Sequence, residues 1–275
     1  MGQIETGTFL TTRDCSRSDV LQVVSWNINR GLQLPGIIEF LSNASADLVL
    51  LQEVDVNARR TRRRNIAREI AYALNMNYAF GREFEELTQG DRDSPAYHGQ
   101  ATLSRYPIES SGILKFRRQS SFWRPRWFIP NFPKLQRRVG ARMALVTLIR
   151  WLEKPLLVYN LHLESRGSDG LRSAQLAEVL QDVIPYGPET PVVVAGDFNF
   201  DLCRQPALSV MSSAPLQNVF NNGNHRSTIL RSRPGVARSI DSILVGGSLR
   251  YTNPELDDSI SASDHYPLSL TLHGS

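Results

Sequence analysis

The sequence predicts a single α/β domain in which β-sheets pack together and helices lie outside them. Short apolar, β-branched segments recur along the chain more often than helical patterns do. Strands and helices do not alternate regularly, which argues against a doubly wound parallel sheet. No interdomain linker or internal repeat is evident. We therefore expect a loose polar tail over residues 1–20 and one domain over residues 21–275.

The strands and helices are predicted from local patterns. Each predicted strand is a short segment rich in Val, Ile and Leu and bounded by turn-forming residues. These segments are 21–28, 46–53, 99–105, 141–149, 155–163, 191–198, 239–245 and 267–273. Three helices are predicted from Pro35 onward and from the spacing of Ile66, Ile70 and Leu74 and of Leu176, Val179, Leu180 and Val183.

One segment, residues 115–138, interleaves arginines with aromatic residues and contains three prolines that discourage regular structure. We interpret it as an inserted loop and leave three roles open. Its arginines could contact phosphates while Trp123 and Trp127 stack on unpaired bases. It could instead dock on an anionic membrane surface. Its aromatic residues could also simply pack the loop onto the domain.

The composition limits the classes of function. The formal net charge is +4, and only three of the 31 basic residues are lysines. Arginine suits bidentate phosphate recognition, although a compositional bias of the genome would produce the same excess. Cys15 and Cys203 lie far apart, so neither a disulfide framework nor a zinc site is indicated. Neither a long apolar segment nor a secretory signal pattern is present, and we expect a cytoplasmic monomer.

Polar residues stand at the ends of several predicted strands. They are Asn27, Asn29, Glu53, His162, Asp197, Asn199, Asp241, Asp264 and His265. Taken singly, each has an ordinary explanation as a turn former, a strand end or a half-buried histidine. Taken together, they supply what phosphoester hydrolysis requires: stabilisation of phosphoryl charge, an oriented water and a proton donor or acceptor.

The metal-binding candidates follow from the preference of hard cations for oxygen ligands. Glu53 is the candidate for a direct ligand of Mg²⁺, with Mn²⁺ as the alternative ion. Asn27 and Asp264 are candidates for further ligands, directly or through waters.

The catalytic candidates divide the remaining work. Asp197 would orient or deprotonate the attacking water, and Asn199 would donate hydrogen bonds to the phosphoryl group. His265, as a cation, would hold a phosphoryl oxygen, while Asp241 fixes its tautomer. His162 is the remaining catalytic candidate.

The motifs "SWNINRG", "LLQEVD", "NLHLES", "VVAGDFNF", "RSIDSILV" and "SASDHYPL" resemble those of the endonuclease/exonuclease/phosphatase superfamily with the DNase I-like fold. The resemblance extends from residue 21 to about residue 270. It implies a four-layer α/β/β/α sandwich of two packed mixed sheets with an active site along one edge. It also implies dependence on Mg²⁺ or Mn²⁺ and hydrolysis of phosphoesters.

The stretch "HLESRGSDGLRSAQ" is most similar to the tyrosyl-DNA phosphodiesterase 2-like branch of this superfamily. Asn29 stands where that branch often has an acidic residue, which favours chemistry with one metal ion. We expect substrate phosphates to be bound by Asn29, Arg30, Arg166 and, within the cluster "RRTRRR" (59–64), Arg62.

The function expected from the sequence is a Mg²⁺-dependent phosphodiesterase acting on nucleic acid, with DNA as the first choice. One alternative is a phospholipid phosphodiesterase of the sphingomyelinase kind, or an esterase of small phosphate compounds, with the same fold. A further alternative is an inactive nucleic-acid-binding module.

Overall fold

The computed structural model describes residues 2–10, 18–123, 136–152, 154–212, 214–220, 226–230 and 238–274. The strands in these ranges are β1 (Ile4–Thr8), β2 (Val20–Arg30), β3 (Leu48–Val56), β4 (Asn77–Glu86), β5 (Tyr97–Ser104), β6 (Ile108–Lys115), β7 (Arg138–Gly140), β8 (Met143–Trp151), β9 (Lys154–His162), β10 (Val192–Asp197), β11 (Leu216–Asn218), β12 (Asp241–Gly246), β13 (Arg250–Leu256) and β14 (Leu268–His273). The α-helices are α1 (Leu34–Asn43), α2 (Ile66–Ala73), α3 (Asp169–Val183) and α4 (Ala207–Met211).

The strands form two mixed sheets. The first has the order β1-β4-β5-β3-β2-β14-β13, with β7 beside β4. The second has the order β11-β12-β10-β9-β8-β6. Every strand predicted from the sequence lies in one of these sheets, within a few residues of its predicted bounds.

Three apolar layers hold the sandwich together. Between the sheets, side chains such as Leu50, Val158 and Ile243 are fully buried. A second layer packs α1 and α2 on the outer face of the first sheet, and a third packs α3 on the outer face of the second. Burial of these apolar surfaces is the main stabilising contribution. The four-layer α/β/β/α sandwich is therefore confirmed.

The helices begin where the sequence places their caps. Asn65 accepts a hydrogen bond from the Arg68 amide at the start of α2, and Ser168 accepts one from the Leu171 amide at the start of α3. Pro35 lies in the first turn of α1, where its missing N–H costs no intrahelical bond. None of the helices in the described ranges has the length and apolarity that crossing a membrane requires.

The predicted loose tail is wrong at its beginning. β1 lies inside it and pairs antiparallel with β4, from Ile4 opposite Gly81 to Thr8 opposite Asn77. The sequence of β1, IETGT, is short and largely polar, so its own pattern does not predict a strand. The edge of β4 supplies the backbone partners that define it. Residues 11–17, including Cys15, lie outside the described residues.

Strand pairing brings the polar strand ends to one edge of the sandwich. β9 and β10 are parallel, and His162 lies opposite Asp197. β10 and β12 are antiparallel, and Asp197 also lies opposite Asp241. In the other sheet, β2 and β3 run parallel, and Asn27 lies opposite Gln52 beside Glu53.

Candidate active site

Asp197, Asp241 and His265 form the centre of the candidate site. His265 Nδ1 lies 2.9 Å from Asp241 Oδ2, and His265 Nε2 lies 3.8 Å from Asp197 Oδ2. The potential ligand atoms of the three residues lie within 4.8 Å of one another. Asp197 and Asp241 lie opposite each other on the neighbouring strands β10 and β12, so the hydrogen-bonded pairing of these strands sets the distance between their carboxylates.

Two hydrogen bonds tie the loop that carries His265 to the other sheet. Trp26 Nε1 donates to the His265 carbonyl at 2.8 Å, and Ser263 Oγ donates to the Asn27 carbonyl at 2.6 Å. Both bonds are buried, where a hydrogen bond is costly to lose. The loop is therefore fixed to the first sheet, while the imidazole contacts Asp241 of the second.

The charges in this centre are set by burial and by close neighbours. Burial opposes the charged form of His265, but the carboxylates of Asp241 and Asp197 outweigh it and raise the pKa of His265 to about 10. Burial and the neighbouring Asp241 charge raise the pKa of Asp197 to about 7. At neutral pH, His265 is thus a cation, while Asp197 is an unusually basic carboxylate.

Hydrogen bonds orient the Asp197 carboxylate. Asn27 Nδ2 donates to Oδ2 at 3.1 Å, and the Asn199 backbone amide donates to Oδ1 at 2.8 Å. Asn199 has a positive φ of 58°, a conformation that asparagine tolerates and that turns its amide back toward Asp197. Its side-chain amide donates to the Leu163 carbonyl at 3.1 Å. The predicted contact of Asn199 with a phosphoryl group stays a prediction.

His162 lies behind Asp197, with Nε2 3.4 Å from Asp197 Oδ2. Burial, together with the positive charge of Arg142, holds the pKa of His162 well below its usual range. A neutral imidazole carries a hydrogen on one ring nitrogen only, which fits donation from Nε2 to Asp197. Nδ1 of His162 is buried and has no partner among the described residues.

Glu53 lies beside this centre at an irregularity in the first sheet. The pairing of β2 with β3 shifts register between Asn27 and Arg30, and Glu53 has a positive φ of 53°. Arg30 Nη1 lies 3.3 Å from Glu53 Oε2. Burial opposes ionisation of Glu53, but electrostatic interactions with His98 and Arg30 outweigh it and lower its pKa. Glu53 is therefore ionised, and its side chain is 20% exposed.

The donor set fits a hard divalent cation at Glu53. Its carboxylate is ionised, and the Asn27 side-chain oxygen accepts only the Asn29 amide, at 3.1 Å, among the described contacts. Carboxylate and amide oxygens are the ligands that Mg²⁺ prefers. The cluster of Asp197, Asp241 and His265 fits a cation less well, because a protonated imidazole has no lone pair to offer.

Asp264 is exposed. Its Oδ1 accepts a hydrogen bond from Ser263 Oγ at 3.4 Å, and its backbone carbonyl accepts one from the Leu230 amide. None of the described contacts joins it to Glu53. Its charge helps to keep His265 protonated. Its predicted role as a metal ligand therefore stays a prediction.

A cleft of about 970 Å³ opens beside Glu53. Arg30 and Arg166, both predicted to bind substrate, line it. Asn29 accepts a hydrogen bond from the Arg30 guanidinium and thereby orients it. Arg62 is exposed and is not among the described residues that line the cleft, where Arg60 lies instead.

Trp123 lines the cleft, and its side chain is bound to the domain. It is buried, 9% exposed, and its Nε1 donates to both oxygens of Glu164, at 2.9 and 3.2 Å. Its ring packs against Phe84, with centroids 5.1 Å apart. The indole therefore packs on the domain, and its predicted contact with substrate stays a prediction. Trp127 lies outside the described residues.

Sequence reasoning did not single out most of the residues that line the cleft, among them three arginines that pair with buried acids: Arg60, Arg138 and Arg142. Arg60 lies in the basic cluster 59–64, and Arg138 lies at the end of the segment 115–138, which is also rich in arginine. Nothing in the sequence distinguishes these arginines from their neighbours. Their importance depends on buried carboxylates that lie on other strands.

Comparisons with known proteins identify the family of the chain. A model of the endonuclease/exonuclease/phosphatase family matches residues 24–265. A comparison with curated proteins finds no match.

Solved structures of the same fold cover nearly the whole chain. An endonuclease/exonuclease/phosphatase from Beutenbergia cavernae DSM 12333 has a TM-score of 0.68 and 17% identity, covering 93% of this chain and 72% of its own. Humanized D. rerio TDP2, carrying 14 mutations, has a TM-score of 0.66 and 18% identity, covering 93% of this chain and 100% of its own. A functionally unknown conserved protein from Enterococcus faecalis V583 has a TM-score of 0.65 and 20% identity, covering 93% and 100%. At these identities the likeness concerns the fold. The family match spans most of the sequence, and the chain belongs to the endonuclease/exonuclease/phosphatase family.

Proposed function

We propose that this chain is a divalent-metal-dependent phosphodiesterase that hydrolyses phosphoester bonds in nucleic acid, with DNA as the substrate to test first. The proposal rests on one observation: ionised Glu53, basic Asp197 and cationic His265 meet at one edge of the sandwich. Membership of the family supports phosphoester hydrolysis in general. The cation and the nucleic acid are inferred from the site and the adjacent cleft.

His265 is suited to hold a phosphoryl oxygen. Its Nδ1 is bound to Asp241 at 2.9 Å, which leaves the Nε2 hydrogen for the substrate. The Asp241 carboxylate keeps the imidazole charged throughout the neutral range. A fixed positive donor stabilises the charge that builds on the phosphoryl oxygens as the bond to the leaving group breaks.

Asp197 is suited to take the proton of the attacking water. Its raised pKa makes it a stronger base than an ordinary aspartate, close to the optimum for general base catalysis at neutral pH. Bonds from Asn27 and from the Asn199 amide fix the direction of its lone pairs. His162, neutral and buried, supports the same carboxylate from behind.

Glu53 and Asn27 are the residues that would hold the divalent cation, which supplies Lewis-acid stabilisation of phosphoryl charge when bound. Arg30 takes the place nearest to the Glu53 carboxylate, at 3.3 Å. It is therefore expected to turn toward the substrate when Glu53 binds a cation.

The surroundings of the site favour a polyanionic substrate. Six arginines and two glutamates are the charged residues among the described lining of the cleft beside Glu53. Arginines that contact backbone phosphates give affinity that falls with salt concentration. An extended nucleic-acid strand offers phosphates to both the catalytic centre and the cleft.

The test is a substrate panel with and without chelator: plasmid DNA, single-stranded DNA, RNA, bis(p-nitrophenyl) phosphate and sphingomyelin. We expect cleavage of DNA that requires added Mg²⁺ or Mn²⁺ and falls by about 10²- to 10⁴-fold in Asp197→Ala and His265→Ala. Circular dichroism and thermal unfolding of both variants check that they fold. Chelator-resistant cleavage, activity on sphingomyelin alone, or a folded His265→Ala variant with wild-type turnover would each contradict the proposal.

A further inference from the structure

The cleft beside Glu53 contains three arginines, each paired with a buried acidic residue. Arg60 forms two bonds to Asp55, at 2.6 Å from Nε and 2.8 Å from Nη2. Arg138 Nη2 lies 2.7 Å from Glu86 Oε1. Arg142 pairs with Glu83. The guanidinium groups therefore stand at fixed positions rather than on flexible side chains.

Buried acids hold these cations more firmly than surface acids would. The side chains of Asp55 and Glu86 are 0% and 2% exposed. A buried carboxylate that lost its arginine would leave an uncompensated charge, so the pairs resist separation. Glu86 lies within 3.3 Å of Arg60 Nη2 as well, and it bridges two of the three arginines.

Arg142 is the third of these arginines. Its Nη1 lies 3.2 Å from Glu83 Oε1, and its Nη2 donates to Ser165 Oγ at 2.9 Å. Its Nε is buried and has no partner among the described residues. A guanidinium group has five N–H donors. Because the Arg142 side chain is only 2% exposed, a ligand would reach mainly the donors of Arg60 and Arg138, which are 22% and 15% exposed.

The paired acids do not remove the excess positive charge around Arg138. Burial, together with the like charges of Arg142 and Arg60, lowers the pKa of Arg138 despite its contact with Glu86. Arg137 and Arg166 line the same cleft and add to the positive charge. An anion in the cleft would relieve this repulsion.

Glu53 connects the cleft with the catalytic centre. It lines the cleft together with Arg138, and its carboxylate interacts electrostatically with both Arg138 and His265, although His265 does not line the cleft. When His265 holds the phosphoryl group that is cleaved, Arg60, Arg138 and Arg142 are therefore available to a second anionic group of the substrate. A volume of about 970 Å³ is also far larger than one phosphate requires.

We propose that Arg60, Arg138 and Arg142 form a subsite for a second phosphate group of the substrate, distinct from the phosphate that is cleaved. The planar fork of arginine matches phosphate oxygens, and fixed guanidinium groups lose little freedom on binding. The inference rests on the proposed function, because it assumes that the first phosphate is cleaved at His265 and Asp197. Substrates with one phosphate would bind only the catalytic centre.

Two pairs of phosphodiesters test this, one for each source of the second phosphate. The first pair is the dinucleotide TpT and its 5′-phosphorylated form pTpT, which represents a nucleic-acid strand. The second is glycerophosphoinositol and glycerophosphoinositol 4-phosphate, which represents a small phosphorylated molecule or a lipid headgroup. Within each pair only the second phosphate differs. The quantity measured is the ratio of kcat/KM within each pair.

We expect the second phosphate to raise kcat/KM by about tenfold or more in at least one pair, as a charge-assisted contact does. In Arg138→Gln the ratio should fall close to one, and Arg138→Lys, which keeps the charge but not the fork, should lie between. Glu86 retains Arg60 as a partner in both variants. Arg150→Gln is the matched control, because exposed Arg150 lies opposite Pro155, at the end of β8 far from His162.

Each outcome decides the inference. A ratio near one in both pairs for an active wild-type enzyme overturns the subsite and leaves the proposed function standing. If the kcat/KM ratio is unchanged in Arg138→Gln, the second phosphate binds elsewhere, and the proposed subsite is also overturned. If the wild type cleaves none of the four compounds with Mg²⁺ or Mn²⁺, the proposed function fails on these substrates. Calorimetry with chelator then decides the subsite, and equal affinity for TpT and pTpT overturns it.

Discussion

Replacing Asp241 with asparagine tests the charge arrangement of the catalytic centre. The change keeps the size of the side chain but removes the negative charge that lies 2.9 Å from His265 Nδ1. A buried, charge-assisted hydrogen bond contributes about 1.5–3 kcal/mol, which corresponds to about a ten- to hundredfold loss of kcat/KM. His265 is then less firmly protonated and less well oriented toward a phosphoryl oxygen.

The same change alters the pH profile in a direction that a structural defect would not produce. Asp197 accepts a proton only when it is ionised, so activity rises as pH increases through its raised pKa. The Asp241 charge is one cause of that raised pKa. Without it, the pKa of Asp197 falls, and the acid limb of the kcat/KM profile moves to lower pH.

The assay is hydrolysis of bis(p-nitrophenyl) phosphate across the pH range, with thermal unfolding of each variant. Asp182→Asn is the matched control, because Asp182 is a partly buried carboxylate on α3 that accepts a hydrogen bond from Tyr159. It should change neither the rate nor the acid limb. Wild-type activity in Asp241→Asn, or an acid limb that stays in place, would refute the assigned roles of Asp241 and Asp197.

Three further changes test the structure that supports the site. Arg142→Met leaves Glu83 buried without its cation and should lower the free energy of unfolding, measured by urea titration, by about 3–5 kcal/mol. Adding Glu83→Gln should restore part of this loss. Equal stability of the single and double variants would contradict this expectation. Gly196 has a φ of +146°, and the Cβ added by Gly196→Ala would lie 1.9 Å from a carbonyl oxygen of β9, so the yield of soluble protein should fall sharply. Gly112→Ala is the control and should express normally, because its added Cβ would meet no atom within 4 Å. Trp123→Phe removes the hydrogen bond to Glu164 and should destabilise the protein by about 1–3 kcal/mol; an unchanged melting temperature would show that this contact is unimportant.

Much of the fold follows from local sequence patterns. The predicted strands 191–198 and 239–245 are confirmed as β10 and β12, because central strands buried on both faces carry continuous apolar sequence. Six strands of the described ranges are not among the predicted ones: β1, β4, β6, β7, β11 and β13. In the buried strand β4, NYAFGREFEE, polar residues interrupt the apolar pattern. β1 and β13 lie at the two edges of the first sheet. Their residues are short, polar or exposed, and they are ordered by pairing with β4 and β14.

The candidate site, like the fold, is only partly predictable from local sequence patterns. The polar residues at the ends of strongly apolar strands, such as Glu53 and Asp197, stand out in the sequence because core packing does not require them. Their proximity depends on strand register, which no local pattern specifies. The roles of Arg138 and Trp123 depend on Glu86 and Glu164, which are distant in sequence. Such pairs are visible only once the chain is folded.

The central claim is that Glu53 holds a divalent cation beside the acid–base pair of Asp197 and His265. Crystals soaked in Mn²⁺, with anomalous scattering recorded at the manganese edge, test it most directly. The account predicts a peak in contact with the Glu53 carboxylate that disappears in Glu53→Gln. A peak between Asp197 and Asp241, or a peak that persists unchanged in Glu53→Gln, would contradict it.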